Sequence, residues 1–102
     1  MAQLIYTENA QVDLVRLTKF LLPSDPAAAA ETSLLIKEAV QVLRNHPLIG
    51  RAVEDGMREL MVSRGRSGYV VLYSIEQAMQ EVVLVLAIRH QRESGYSREA
   101  EQ

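Results

Sequence analysis

Residues 58–96 read RELMVSRGRSGYVVLYSIEQAMQEVVLVLAIRHQRESGY. Three apolar runs within this stretch, 60–62, 69–75 and 82–88, constrain the fold more than anything else in the chain. They are rich in Val, Ile, Leu and Tyr and contain no Pro, which is the composition of strands. The connections are short: RGRSG at 64–68 joins the first pair and 76–80 joins the second. Links of this length suit antiparallel neighbours and are too short for a parallel crossover. The pattern predicts a three-stranded antiparallel meander with strands over about 58–63, 69–75 and 82–89. The last two runs scarcely alternate, as expected of strands covered on both faces.

The preceding residues supply one of those covers. Residues 2–6 (AQLIY) predict a short N-terminal strand. Thr7 then stands as a helix N-cap with Glu8 at the positive end of the helix dipole. Ala10, Leu14, Leu17 and Leu21 keep helical spacing over 8–22, with Val15 and Leu22 widening the stripe. Asp13, Arg16 and Lys19 fall largely on the opposite face, and Pro23 ends the helix. Asp25-Pro26 is a second start signal. The helix it opens runs to about Asn45, with Leu35, Ala39 and Val42 on one side and Ile36, Val40 and Leu43 beside them. The small residues at 27–30 allow close packing, and the short join makes the two helices an αα-hairpin. Residues 48–57, with Gly50 and Gly56, read as a loop returning the chain to the sheet. The expected architecture is a single α+β domain over 1–102: short strand, αα-hairpin, meander, and a polar tail from 90 to 102. Helices can cover one sheet face. The other needs the tail or another protein chain.

At 102 residues and 48% hydrophobic content, the chain can build one small core, and with one Phe and no Trp that core is expected to be aliphatic. A net charge of −2 argues against a generic polyanion binder. There is no Cys, hence no disulfide or thiol nucleophile, and His46 and His90 lack ligand spacing, so no metal or cofactor is expected. Neither a signal peptide nor an apolar run of the ~20 residues that span a bilayer is visible. A cytoplasmic protein without membrane contact is expected. Of the Lys and Arg residues, those from Arg58 onward are all Arg: Arg58, Arg64, Arg66, Arg89, Arg92 and Arg98. Arg64, Arg66, Arg89, His90, Arg92 and Tyr96 fall near one end of the predicted meander. Such a group can bind phosphate, stabilise charge in phosphoryl transfer, or receive an acidic helix. Composition does not choose among these, nor between Tyr96 as an anchor on the sheet and as part of a site with His90 and Arg92.

The order of elements, with Tyr6-Thr7 before the first helix, HPLIGR at 46–51, Arg58-Glu59-Leu60, GYVVLY at 68–73 and LAIRHQRESGY at 86–96, resembles the RelE/ParE superfamily of toxins from bacterial type II toxin–antitoxin systems. The ending is similar to ParE-type plasmid stabilisation proteins. The resemblance implies one of two activities, or else an inactive relative retained only as an antitoxin-binding module. RelE-type members are mRNA endoribonucleases acting in the ribosomal A site, with basic residues and a terminal Tyr at the reacting phosphate. ParE-type members inhibit DNA gyrase and are not enzymes. The lysines that RelE places in the second strand of the sheet have no counterpart here, where Met61 and Ser63 stand. Val70 replaces the Arg after Gly-Tyr, and the late Arg falls near His90. Each lost donor removes roughly 2.7–4 kcal/mol of charge stabilisation. The resemblance therefore favours a ParE-like gyrase inhibitor with no catalytic residues. If the chain were instead a nuclease, its site would be Arg64, Arg66, His90, Arg92 and Tyr96, with the ribosome and mRNA as partners. In both cases it implies a cognate antitoxin, with Arg58, Arg64, Arg89 and Arg92 meeting its carboxylates.

Overall fold

The structure, a computed structural model, describes residues 1–64, 67–77 and 79–96. Five strands form one sheet: β1 (Gln3–Tyr6), β2 (Arg51–Ala52), β3 (Met57–Arg64), β4 (Ser67–Gln77) and β5 (Glu81–His90). Their spatial order is β1-β5-β4-β3-β2. The meander β3-β4-β5 is antiparallel, and β1 joins its far edge in parallel with β5, Tyr6 opposite Val85. Two helices, α1 (Glu8–Leu21) and α2 (Pro26–Val40), cover one face. The α+β class and the order strand, αα-hairpin, meander are those read from the sequence. No helix among the described residues is long and apolar enough to cross a membrane.

Both helix starts follow the local chemistry. The Thr7 hydroxyl accepts from the Ala10 N–H at 3.2 Å, and the Asp25 carboxylate accepts from the Ala28 N–H at 3.0 Å. The outward face of α1, however, differs from expectation. Val15 and Leu22 are exposed, while Asp13 is fully buried. The cause lies in β5. Strand β1 stops at Tyr6, so the edge of β5 beyond Val85 has no strand partner, and its backbone groups need polar side chains. Asn9 donates to the Leu86 carbonyl at 3.1 Å, Asp13 accepts from the Ile88 N–H at 2.8 Å, and Arg16 reaches the Ile88 carbonyl at 3.4 Å. Glu93 accepts from the His90 N–H at 2.8 Å. Residues 9, 13 and 16 share one helix face by their spacing. That face stands against a strand edge instead of water.

Two further expectations need correction. Residues 48–57 contain β2 and a 3₁₀ turn, Glu54–Gly56, and are not a plain loop. Asp55 (φ 59°) and Gly56 (φ 74°) both adopt the left-handed conformation, which reverses the chain tightly enough for Arg51 to pair with Glu59. The second helix is α-helical only to Val40 and tightens into a 3₁₀ turn, Gln41–Arg44. At about three residues per turn, Leu43 enters the core while Val42 is left exposed. Of the alanines at 27–30 only Ala29 is buried.

The core lies between α1, α2 and one face of the sheet. Ala10, Leu14, Leu17, Ile36, Val40 and Leu43 meet Val62, Tyr69, Val71, Tyr73, Val83, Val85 and Ile88. It is aliphatic around tyrosines, and Tyr73 is its largest fully buried side chain. Side chains alternate along strands, so Glu59, Met61, Val70 and Leu72 belong to the sheet's other face, and so do Ala87 and Arg89, which flank the core residue Ile88 beyond an irregularity in β5.

Candidate functional site

On that other face a polar group has formed over an apolar floor. The registers set Glu59, Leu72 and Ala87 side by side on β3, β4 and β5. Glu59 is only 9% exposed. One carboxylate oxygen accepts from the Arg51 guanidinium at 2.6 Å and the other from the Tyr96 hydroxyl at 2.6 Å. Arg89 lies over the Tyr96 ring, 5.2 Å from its centroid, and donates to the Glu93 carbonyl at 3.0 Å. The tail thus crosses the sheet face that the helices leave bare. It is fixed at Glu93 by Arg16 (3.0 Å) and at Tyr96 by Glu59. Beside Tyr96 opens a groove of about 910 Å³, walled by Thr7, Asn9, Val53, Met57, Leu72 and Leu86 and rimmed by Glu54, Asp55 and Glu59.

The hydrogen bond from Tyr96, and after it Arg51, holds the Glu59 carboxyl below the usual carboxylate range, outweighing its burial. Burial pushes the Tyr96 phenol up, and donation to Glu59 pushes it further, so the phenol stays protonated at neutral pH. A carboxylate whose folded pKa is depressed contributes stability above its unfolded value, and this is lost as pH falls through the folded value. Acid should therefore release the tail. Ring resonances of Tyr96 followed from pH 6 downward are expected to move toward free-tyrosine values below about pH 4. In Glu59→Gln that acid step should be absent. A wild-type tail that stays docked at low pH would contradict the charge-assisted role of Glu59.

The sequence-derived candidates are scattered. A bulge between Leu72 and Tyr73 shifts the β4–β5 register, so that Leu72 faces Ala87 while Tyr73 faces Val85. Beyond it the sides of β5 are exchanged: Ile88 is in the core and Arg89 looks to the tail. His90 consequently stands on the helix side, edge-on to Tyr69 at 5.4 Å, with its Nδ1 accepting from the Arg92 N–H at 3.1 Å. Tyr96 is on the opposite face. Arg58 lies in register with the buried Tyr73 and donates to the Leu48 and Gly50 carbonyls at 3.2 and 2.7 Å. Arg92 is exposed. Arg66 lies outside the described residues, as does residue 98, and for Arg64 only the strand backbone is described. Of the two interpretations open for Tyr96, the geometry gives the anchor.

Sequence reasoning did not single out Glu59, Arg51, Asp13 or Tyr73. A signal existed for Glu59: a lone carboxylate inside an otherwise apolar strand run requires a partner when it is buried. None existed for Tyr73, whose hydroxyl donates to the Pro47 carbonyl at 2.6 Å and accepts from the Gly50 N–H at 2.9 Å across more than twenty residues.

Comparison with known proteins agrees with this architecture. Residues 4–95 match the family described as ParE toxin of type II toxin-antitoxin system, parDE. Toxin RelE3 of Caulobacter vibrioides is 37% identical over 85 residues, spanning 83% of this chain and 89% of that protein. Toxin RelE2 of the same organism is 31% identical over 90 residues, spanning 88% and 96%. A solved structure described as the chromosomal ParDE TA system from P. aeruginosa shares the fold, with a TM-score of 0.71 at 23% identity over 86% of this chain and 94% of that one. The chain belongs to the ParE toxin family of type II toxin–antitoxin systems, within the wider RelE/ParE group.

Proposed function

We propose that this toxin arrests growth by binding DNA gyrase rather than by cutting RNA, and that a cognate antitoxin silences it. The observation that carries the non-nuclease part is the separation of Tyr96 from His90. An RNA-cleaving site needs an acid and a base converging on one phosphate, within hydrogen-bond reach of the protons they move. Here the Tyr96 hydroxyl is already donated to Glu59, with its pKa raised, and His90 stands across the sheet. The missing lysines of the second meander strand point the same way. Gyrase as the target rests on membership of the ParE family.

Toxin freed of antitoxin should block supercoiling of relaxed plasmid by gyrase and leave translated mRNA intact in primer-extension mapping. Mapped cuts with normal supercoiling would overturn the proposal and assign an mRNA endoribonuclease, the reading that the names of the Caulobacter relatives favour. For the antitoxin, the exposed Arg92 is the electrostatic contact of choice. Arg58 and Arg89 are engaged by this chain's own carbonyls. Arg92→Ala should weaken antitoxin binding at low salt by no more than about 1 kcal/mol, the range of an exposed ion pair, and the loss should fade as salt rises. Affinity unchanged at every ionic strength would remove Arg92 from the interface.

A further inference from the structure

Leu48 and Ile49 are 66% and 57% exposed, adjacent in sequence, and carried on a short loop. Exposed apolar residues in a loose loop are unremarkable, but this loop is tied down on every side. The Tyr73 hydroxyl bridges the Pro47 carbonyl and the Gly50 N–H. Arg58 donates to the carbonyls of Leu48 and Gly50, and the Ile49 N–H donates to the His46 carbonyl at 3.1 Å. A Cβ on Gly50 would stand 2.5 Å from the Tyr73 hydroxyl oxygen and 2.8 Å from the Glu59 carbonyl, so the loop sits directly on the sheet. The backbone is thereby held where the two side chains cannot fold down onto the core.

We infer that Leu48 and Ile49 form a preorganised apolar knob that inserts into a concave apolar pocket on the folded target protein of this toxin. The inference rests on the proposal that the toxin acts by binding a protein. A rigid anchor loses little conformational freedom on docking, which is where binding energy concentrates in an interface. A convex knob requires a partner that already has a hollow. A segment that folds on binding needs a groove to lie in, and the groove beside Tyr96 has that shape. A nucleic-acid contact would place cations at the tip, which here is Leu-Ile. The surroundings define the rim of the partner's pocket as well. Between Glu38 and Glu54 the chain has no acidic residue and carries Arg44 and Arg51, the latter with 76% of its side chain exposed. The pocket is apolar with an acidic border.

The test compares Leu48→Asp/Ile49→Asp with wild type in the full chain, expressed with antitoxin and then separated. Three quantities are read: growth arrest on induction, antitoxin affinity and Tm. Growth arrest should be lost, with target inhibition weakened roughly tenfold or more, while antitoxin affinity and Tm stay at wild-type values. Leu48→Met/Ile49→Val should restore arrest. Arrest that persists in the aspartate variant overturns the inference. Loss of antitoxin binding at unchanged Tm also overturns it, because the knob would then belong to the antitoxin interface. Should the aspartate variant melt early, Leu48→Ser and Ile49→Ser, which add no charge, decide by the same criteria. Wild-type toxin that arrests growth without touching supercoiling removes gyrase as the target. The ratio of variant to wild-type arrest still judges the knob separately.

Discussion

Replacing Tyr73 by Ala is expected to bring this protein close to unfolding. Truncating a fully buried aromatic side chain costs roughly 3–5 kcal/mol, and Tyr73 is 0% exposed. The same change strips the Gly50 N–H and the Pro47 carbonyl of their shared partner, and each buried polar group left unpaired adds about 1–3 kcal/mol. Small domains hold only about 5–15 kcal/mol in total. In a chain of this size one kcal/mol moves Tm by about 4–8 °C, so Tyr73→Ala should lower Tm by at least about 12 °C if it folds at all. Tyr73→Phe isolates the hydroxyl, since it keeps the ring and removes only the two bonds. Its melting temperature should fall between the two. A phenylalanine variant that melts with wild type would mean that the loop at 47–50 is held by something other than this hydroxyl.

Asp13→Ala is the second large effect. Its carboxylate accepts the Ile88 N–H from a position with no exposure and lies 3.4 Å from Arg16. Removing one member of a buried ion pair costs about 3–5 kcal/mol. Arg16 is one-third exposed and keeps Glu93 at 3.0 Å, so the orphaned Ile88 N–H sets the scale, at about 1–3 kcal/mol. Asp13→Asn retains an acceptor oxygen and should lose less. The pH dependence separates Asp13 from Glu59. Burial raises the Asp13 carboxyl above its ordinary value against the pull of the Ile88 N–H and Arg16. A carboxyl with a raised folded pKa contributes stability that is present below its unfolded value of about 3.9 and lost as pH rises through the folded value. Glu59 acts with the opposite sign. Asp13→Asn should therefore lose stability on acidification more steeply than wild type, and Glu59→Gln less steeply. Parallel urea melts across pH 3 to 7 would show it, and equal slopes in all three proteins would refute both assignments.

The strands and caps were legible because they depend on neighbours in sequence. Apolar runs with short connections can make only a meander, and Thr7 and Asp25 sit where a helix needs an acceptor. The inward turn of Asp13 was not legible. It depends on β1 ending at Tyr6 while β5 continues, a mismatch of two strand lengths that are far apart in the chain. The positions of Arg89 and His90 were hidden for a related reason. Strict alternation from Val83 and Val85 would carry residue 89 to the helix side. The bulge reverses this, and nothing local in VVLVLAIRH announces it. Of the basic group expected near the end of the meander, Arg89 and His90 therefore lie on opposite faces, and the side chains of Arg64 and Arg66 lie outside the described residues. Arg58 illustrates a different limit: in sequence a guanidinium at a strand start is indistinguishable from a free cation, and only the fold reveals the Leu48 and Gly50 carbonyls it serves.

The polar side chains along β5 have one more consequence, which concerns how the sheet can grow. On the β1 side the Ala2 N–H already donates to the Arg44 carbonyl, the Tyr6 carbonyl accepts from Gln11, and the rest of β5 is capped by Asn9, Asp13, Arg16 and Glu93. A visiting strand would find that border largely occupied. At the opposite border β2 pairs only with Arg58 and Glu59, and β3 runs on to Arg64 with no further strand beside it among the described residues. Any strand added by another chain, whether in productive assembly or in aggregation, would have to enter there. That opening starts just past Glu59, where the partnership with β2 ends, and its first residues, Leu60 to Ser63, carry no charge of their own.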